Sequence, residues 1–504
     1  MRCGKNVFEL NEIQFVKEKA IQSGKWALIA RVSQVLGGSI MLIILPFWLA
    51  PDDFGIITMF TSVLALVMIL QQAGLMEATV QREQDIETVR DAAFWLSALI
   101  SLALYLIVYS SAPFLSNFFG DFRLIPPLRI ASLQIILLGF SNIPLAWMQR
   151  QFQYRSYALI HFTSSLVMMG IAIVFAIRGA GYWAYIAGIL SGAATRLILL
   201  VFYIDWRPRF RFKIYWWEVI IKFSGFVLLE MVFGWLLVWF DNVVVAKHLG
   251  SEAAGIYSLA FNFATMAISL PISAITGVTL STFSRLQNDM DSLRSTYLKG
   301  TGLITSYAIP AGIGLSLVGP ALVNTIYPGR WDSLRSILPI LALYAGFGHI
   351  WILNTDVFKA IGKPEIMLKI YIPVLSIVLP VYWWSSQIGL FEFTIARSLI
   401  VLVGALPHTY FAIRNLGLDK NYLYHIVRAP LISSGIMALF VWAGIKICNQ
   451  ISFPNNGIQL VYLAGVIAIG GIIYWLTMGR IASDFPRRVT DLYCRSMGIV
   501  GPHE

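Results

Sequence analysis

The chain has 504 residues, of which 58% are hydrophobic and only 12% charged, and it carries a formal net charge of +11. That composition lies outside the range of soluble globular domains and inside that of polytopic membrane proteins. The basic residues fall in short clusters between apolar runs rather than on one soluble face, so nucleic acid is excluded as a partner.

Hydrocarbon offers no partner for backbone polar groups, so apolar runs of about 20 residues read as helices. About fourteen follow in chain order: 26–48, 55–80, 93–118, 126–148, 157–178, 181–204, 219–246, 253–281, 299–326, 333–357, 365–386, 389–413, 428–449 and 459–479. The N-terminal segment before them is mixed in charge and does not resemble a signal peptide. At 177–182 and 385–390 one long helix competes with two, and Gly179, Gly181 and Gly389 favour a turn. Lys and Arg concentrate on one set of loops, most clearly at Arg207, Arg209, Arg211 and Lys213. The positive-inside rule then places both termini in the cytoplasm. Trp48, Trp183, Trp216, Trp217, Trp331, Trp383 and Trp384 fall near span ends and are expected at the interface.

The chain repeats itself. Leu49-Ala50-Pro51-Asp52-Asp53-Phe54-Gly55-Ile56-Ile57 aligns without gaps on Leu249-Gly250-Ser251-Glu252-Ala253-Ala254-Gly255-Ile256-Tyr257, and Gln84–Arg90 is echoed by Asn288–Arg294. Six spans return the chain to its starting side, so the copies have parallel orientation about an axis along the membrane normal. The fold expected is all-α and polytopic: two six-helix bundles related by a pseudo-twofold axis, plus two extra helices. Its parts are a cytoplasmic N-terminal segment (1–25), a first bundle (26–204), a basic linker (205–218), a second bundle (219–413), two additional spans (428–479) and a cytoplasmic tail (480–504). Two such bundles enclose a cavity that opens to either side by rocking.

The second copy carries Phe223-Ser224-Gly225, Asp241-Asn242-Val243-Val244-Val245-Ala246-Lys247-His248-Leu249-Gly250, Gly255-Ile256-Tyr257-Ser258-Leu259-Ala260 and Phe283-Ser284-Arg285-Leu286-Gln287. With Pro51-Asp52-Asp53-Phe54-Gly55, these segments resemble the polysaccharide-export flippases of the multidrug/oligosaccharidyl-lipid/polysaccharide exporter superfamily, over most of residues 20–415. The resemblance implies export of undecaprenyl-diphosphate-linked oligosaccharides across the bacterial inner membrane for O-antigen, capsule or exopolysaccharide. It leaves the sugar open. A polymerase or export machinery as partner, and proton or sodium coupling, also stay open.

Ionisable groups inside spans are costly to bury and mark candidate contacts for sugar or diphosphate. Arg31 lies about 9 Å along the first span from Lys25, on a stripe with Gln34. Glu230 lies about 12 Å from Lys222 and is the candidate for ion coupling, since a desolvated carboxylate suits proton transfer. Arg397 sits about 12 Å into the twelfth span. Asp241 and Asn242 match the family signature near an outer end, where capping competes with sugar contact. Asn262 offers a further polar contact in the eighth span. Arg196 and Asp356 read as anchors near inner ends.

Three scattered cysteines (Cys3, Cys448, Cys494) and six dispersed histidines give no disulfide framework and no metal ligand spacing. No cofactor is called for. A cation-coupled multidrug exporter of the same superfamily is one rival, although the first span offers Arg31 and no acid. A flippase of lipid-linked peptidoglycan precursors is another, separated from the polysaccharide branch only by degree. A membrane enzyme of polysaccharide assembly is the third, but the loops are too short for a catalytic domain, so no catalytic residue and no enzyme activity are expected.

Overall fold

A computed structural model describes residues 26, 41, 43–72, 86–151, 153–204, 206–210, 214–451 and 453–482, with the side chains at 72, 86, 214–230 and 274 outside that description. Every long element among them is a helix. Twelve stretches are long and apolar enough to cross a membrane. One of these, Met231–Ser273, covers parts of two of the expected spans, 219–246 and 253–281, and the first expected span falls largely outside the described residues. The twelve thus agree with about fourteen, and the chain is a multi-pass membrane protein. Large apolar side chains such as Leu406, Val461 and Leu439 stand 68–76% exposed on the helix faces, as an apolar solvent permits.

By contacts the chain forms two compact units, Met1–Gly255 and Ile256–Glu504. The first contains α1 (Pro51–Gln72), α2 (Ile86–Phe119), the short α3 (Ile125–Ala131), α4 (Leu133–Arg150), α5 (Tyr154–Ile177) and α6 (Trp183–Tyr203). The helical stretch Ile214–Leu286 is interrupted at Gly250, whose φ of 82° is open to glycine but strained for other residues. It therefore comprises two helices, α7 (214–249) and α8 (251–286), and no loop separates them. The expected boundary at 246–253 is a one-residue kink.

α1 opens with Pro51 at its first position and Asp52 and Asp53 in its first turn, a sequence suited to the positive end of the helix dipole. The Asp53 carboxylate accepts from the Ala50 N–H at 3.2 Å and from the Tyr182 N–H at 3.1 Å, which ties the start of α6 to the start of α1. Positive φ at Gly179 (75°) and Gly181 (56°) turns the chain between α5 and α6, so the two-helix reading holds there. Near the ends of α2, α4 and α6, Trp206 donates to Asp91 at 2.9 Å, while the Arg90 guanidinium lies 4.3 Å from the Trp147 ring and 4.5 Å from that of Trp206.

The second unit contains α9 (Met290–Ile326), α10 (Leu334–Gly348), the short α11 (Asn354–Ala360), α12 (Glu365–Ser385), α13 (Leu390–Leu416), α14 (Tyr422–Gln450) and α15 (Asn456–Ile481). Asp289 caps α9 by accepting from the Ser292 N–H at 3.1 Å. The single span expected at 333–357 is broken by a 3-10 turn at His349–Trp351. A three-residue turn at 386–388 followed by Gly389 separates α12 from α13, so the two-helix reading holds there as well. The two additional helices pack on α9 through Val318, Met437, Val441, Leu463, Val466 and Met478, and the Tyr474 hydroxyl donates to the Ser306 carbonyl at 2.7 Å. Trp48 and Trp384 are exposed at span ends as expected, but Trp331 is 1% exposed and is a packing residue of the α9–α10 connection.

Candidate functional site

The duplicated signature is the first place where sequence becomes geometry. Gly55 of α1 and Gly255 of α8 stand so close that a Cβ built on Gly55 would fall 1.8 Å from the Ser251 carbonyl oxygen, and one on Gly255 would fall 1.9 Å from that of Pro51. The pairing is reciprocal: position 55 meets 251 while 255 meets 51, as a local twofold relation requires. Only hydrogen in place of a side chain allows backbones this near. Beside the contact, Arg123 donates to both oxygens of Asp52 and to both oxygens of Asp121, and the Ser251 hydroxyl donates to Asp52. The first acid of the signature thus bonds to the second copy of the same signature.

Arg397 of α13 is 2% exposed and is housed by aromatic rings. Its guanidinium carbon lies 4.1 Å from the Tyr344 ring centre and 5.4 Å from those of Phe261 and Tyr382. Tyr257 and Tyr382 each pack 5.4 Å from Phe393, one helical turn before the arginine. A cation over π faces gains about 0.5–2 kcal/mol per favourable contact, the upper end where water is excluded. That gain offsets part of the several kcal/mol that desolvating the charge costs. Tyr382 and Phe393 lie at equal distances either side of the turn between α12 and α13, so the antiparallel helix pair sets these two rings face to face, and Arg397 follows one turn further along α13. This spacing was the available sequence signal for the ring. Tyr344, on α10, had none.

The other candidates are dispersed. Asn262 follows Phe261 on α8, half-buried, with its amide donating to the Ser258 carbonyl at 2.7 Å. Its chain neighbour thus touches Arg397. Asp241 and Asn242 on α7 are 0% and 5% exposed, and the Asp241 carboxylate accepts from the backbone N–H of Asn242 at 2.7 Å and from its side-chain amide at 2.8 Å. Glu230 lies on α7 with its side chain outside the description, and Arg31 and Gln34 lie outside the described residues. Asp356, expected as an anchor, accepts a hydrogen bond from Thr279. Arg196, read the same way, has its Nε buried without a hydrogen-bond partner among the described residues.

Comparison with known proteins places this architecture. The succinoglycan biosynthesis transport protein ExoT of Rhizobium meliloti is 24% identical over 470 residues, covering 93% of this chain and 94% of that protein. The lipopolysaccharide biosynthesis protein WzxC of Escherichia coli is 21% identical over 419 residues, 82% of this chain and 84% of that one. Among solved structures, the lipid II flippase MurJ in an inward-closed conformation superposes with a TM-score of 0.72 at 14% identity, covering 91% of this chain and 99% of that one. An inward-facing multidrug resistance MATE transporter of the MOP superfamily gives 0.58 at 15% identity, over 78% of this chain and 95% of that one. These superpositions show that the chain shares the helical fold of those two proteins. The sequence pattern of polysaccharide biosynthesis proteins matches residues 44–336, more than half of the chain, and the chain belongs to that family.

Proposed function

We propose that this protein is a flippase that carries lipid-linked oligosaccharide units of surface polysaccharide assembly across the bacterial inner membrane. The carrying observation is the duplicated signature packed reciprocally at Gly55 and Gly255, in a chain of the polysaccharide biosynthesis family. A repeat of parallel orientation supports alternating access, in which the halves 26–204 and 219–413 rock while both termini stay cytoplasmic. Relatives named for succinoglycan, lipopolysaccharide and teichuronic acid synthesis support a polymeric sugar as the eventual product.

In this reading Arg31 and Gln34 meet the diphosphate, because a guanidinium matches phosphate oxygens in paired charge-assisted bonds. Asp241, Asn242 and Asn262 offer hydrogen bonds to sugar hydroxyls. Arg397 acts from behind its aromatic wall, holding Tyr344 and Phe261 as half-buried faces on which a sugar ring stacks. Glu230 carries the coupling proton or cation, and a polymerase receives the product.

Deletion of the gene is expected to abolish one surface polysaccharide and to trap its lipid-linked unit on the cytoplasmic side, measured by protease-free lectin or lipid extraction assays. Restored polysaccharide with Arg31→Ala and Glu230→Ala both in place would remove those residues from the site. An unchanged polysaccharide profile in the deletion strain would sink the reading itself.

A further inference from the structure

A polar cluster between α5 and α6 is left unused by transport. Gly188 and Gly192 of α6 let the two helices pack closely: a Cβ on Gly192 would lie 2.9 Å from the Met168 Cβ and 3.2 Å from the Ser164 carbonyl oxygen, and one on Gly188 2.9 Å from the Ala172 Cβ. One turn beyond Gly192 the same antiparallel pairing brings Arg196 to the level of His161 and Ser164, and the charge of Arg196 acts on the imidazole. Tyr157 closes the other side, its ring centre 4.4 Å from that of His161.

His161 is 4% exposed and Ser164 2%. Among the described residues, neither ring nitrogen of His161, nor the Ser164 hydroxyl, nor Nε of Arg196 has a hydrogen-bond partner. Buried polar atoms are almost always paired, so four orphans in one place ask for a missing group. The chemistry of that group follows from the set. A guanidinium supplies several N–H donors, a neutral imidazole one, and a hydroxyl one, with no carboxylate paired to Arg196 among the described residues. Water would answer the imidazole and hydroxyl but leave the guanidinium charge uncompensated. A metal cation would be repelled. An anion compensates the charge and accepts from all three groups, which leaves only the acceptor nitrogen of the imidazole to a water or a ligand hydroxyl.

The geometry points to a phosphate-binding site: we propose that Arg196, His161 and Ser164 hold a phosphate group, either the headgroup of an anionic membrane lipid or a free phosphate ion. The cluster lies about 10 Å from the start of α5 and from the end of α6. Exposed Phe162 and Ile198 adjoin it in sequence, so bilayer lipid runs beside it. Arg155, Arg207 and Arg209, all exposed, stand at the same helix ends and raise the local concentration of anions. The site uses none of the residues assigned to the transported sugar, and its test omits that substrate.

The full-length protein is purified into phosphatidylcholine nanodiscs. Thermal unfolding and native mass spectrometry are then recorded with added phosphatidylglycerol, with inorganic phosphate, or with chloride at matched ionic strength. Wild type is expected to be stabilised and to retain the phospholipid, with Arg196→Gln weakening apparent affinity about tenfold or more and Arg196→Lys retaining part of it. A response to phosphatidylglycerol alone assigns the headgroup; a response also to inorganic phosphate assigns the free ion. The proposal is overturned when wild type responds to neither ligand, or when Arg196→Gln, Arg196→Lys and Ser164→Ala all respond as wild type does. Should Arg196→Gln fail to fold, the Lys and Ala variants decide the matter.

Discussion

The sixth span of each expected repeat copy, α6 and α13, carries one arginine away from its last turn, and the two are housed in opposite ways. Arg397 is 2% exposed among three π faces, its nearest ring centre at 4.1 Å. Among the described residues, Nε of Arg196 is buried without a hydrogen-bond partner, as are the His161 ring nitrogens and the Ser164 hydroxyl on the helix packed against it. The first arrangement commits the charge to fixed neighbours and links α8, α10, α12 and α13 through one side chain. The second leaves hydrogen-bonding capacity open. An arginine inside a span is therefore not one kind of signal: its surroundings decide whether it holds helices together or waits for a ligand.

The comparison breaks most readily at Arg397. Arg397→Ala removes the cation and leaves a void inside the ring cluster, with an expected loss of about 3 kcal/mol in unfolding free energy, measured by thermal or chemical denaturation in detergent. Wild-type stability in that variant would show that the rings do not depend on the charge. Gly192→Val tests the other site, since its side chain must push Met168 and Ser164 away from α6. A destabilisation of about 2 kcal/mol is expected, together with loss of any phosphate response. Tyr344→Ala is expected to cost about 1–2 kcal/mol, whereas Tyr344→Phe keeps the π face and should fall within about 0.5 kcal/mol of wild type. Equal losses in the two Tyr344 variants would assign the effect to the hydroxyl instead. The smallest change is expected for Arg196→Gln in phosphatidylcholine without phosphate. It relieves the cost of a buried charge but leaves a buried amide with its own polar atoms unpaired, so the two effects oppose and stability should shift by less than about 1 kcal/mol in either direction. A loss as large as that of Arg397→Ala would erase the distinction between the two arginines.

Several features were legible along the chain because membrane physics leaves few alternatives. Runs of about 20 apolar residues have to be helices in hydrocarbon, so the spans and their approximate limits followed from hydropathy alone. The match of Pro51–Gly55 to Ser251–Gly255 announced the duplication, and the glycines at its end proved to be where the copies touch. Gly179 and Gly181 marked a turn that positive φ requires. Other features were hidden. The kink at Gly250 replaces a loop with one residue, which hydropathy does not register. Trp331 has the place of an interface anchor in the sequence yet is buried in the connection between α9 and α10. Arg196 has the depth of a snorkelling residue, and only its neighbours on α5 show otherwise.

The amino-acid order by itself determined the solvent, the secondary structure and the repeat, since these depend on local hydrophobicity, turn chemistry and self-similarity. Tertiary structure alone decided which buried charges are answered and by what. Tyr344, Phe261 and Tyr382 reach Arg397 from three different helices, and His161 and Arg196 stand on two helices held close by two glycines. The physical reason is range: desolvation and cation–π attraction act over a few ångströms of space, and no spacing along the chain reports which helices will come that near.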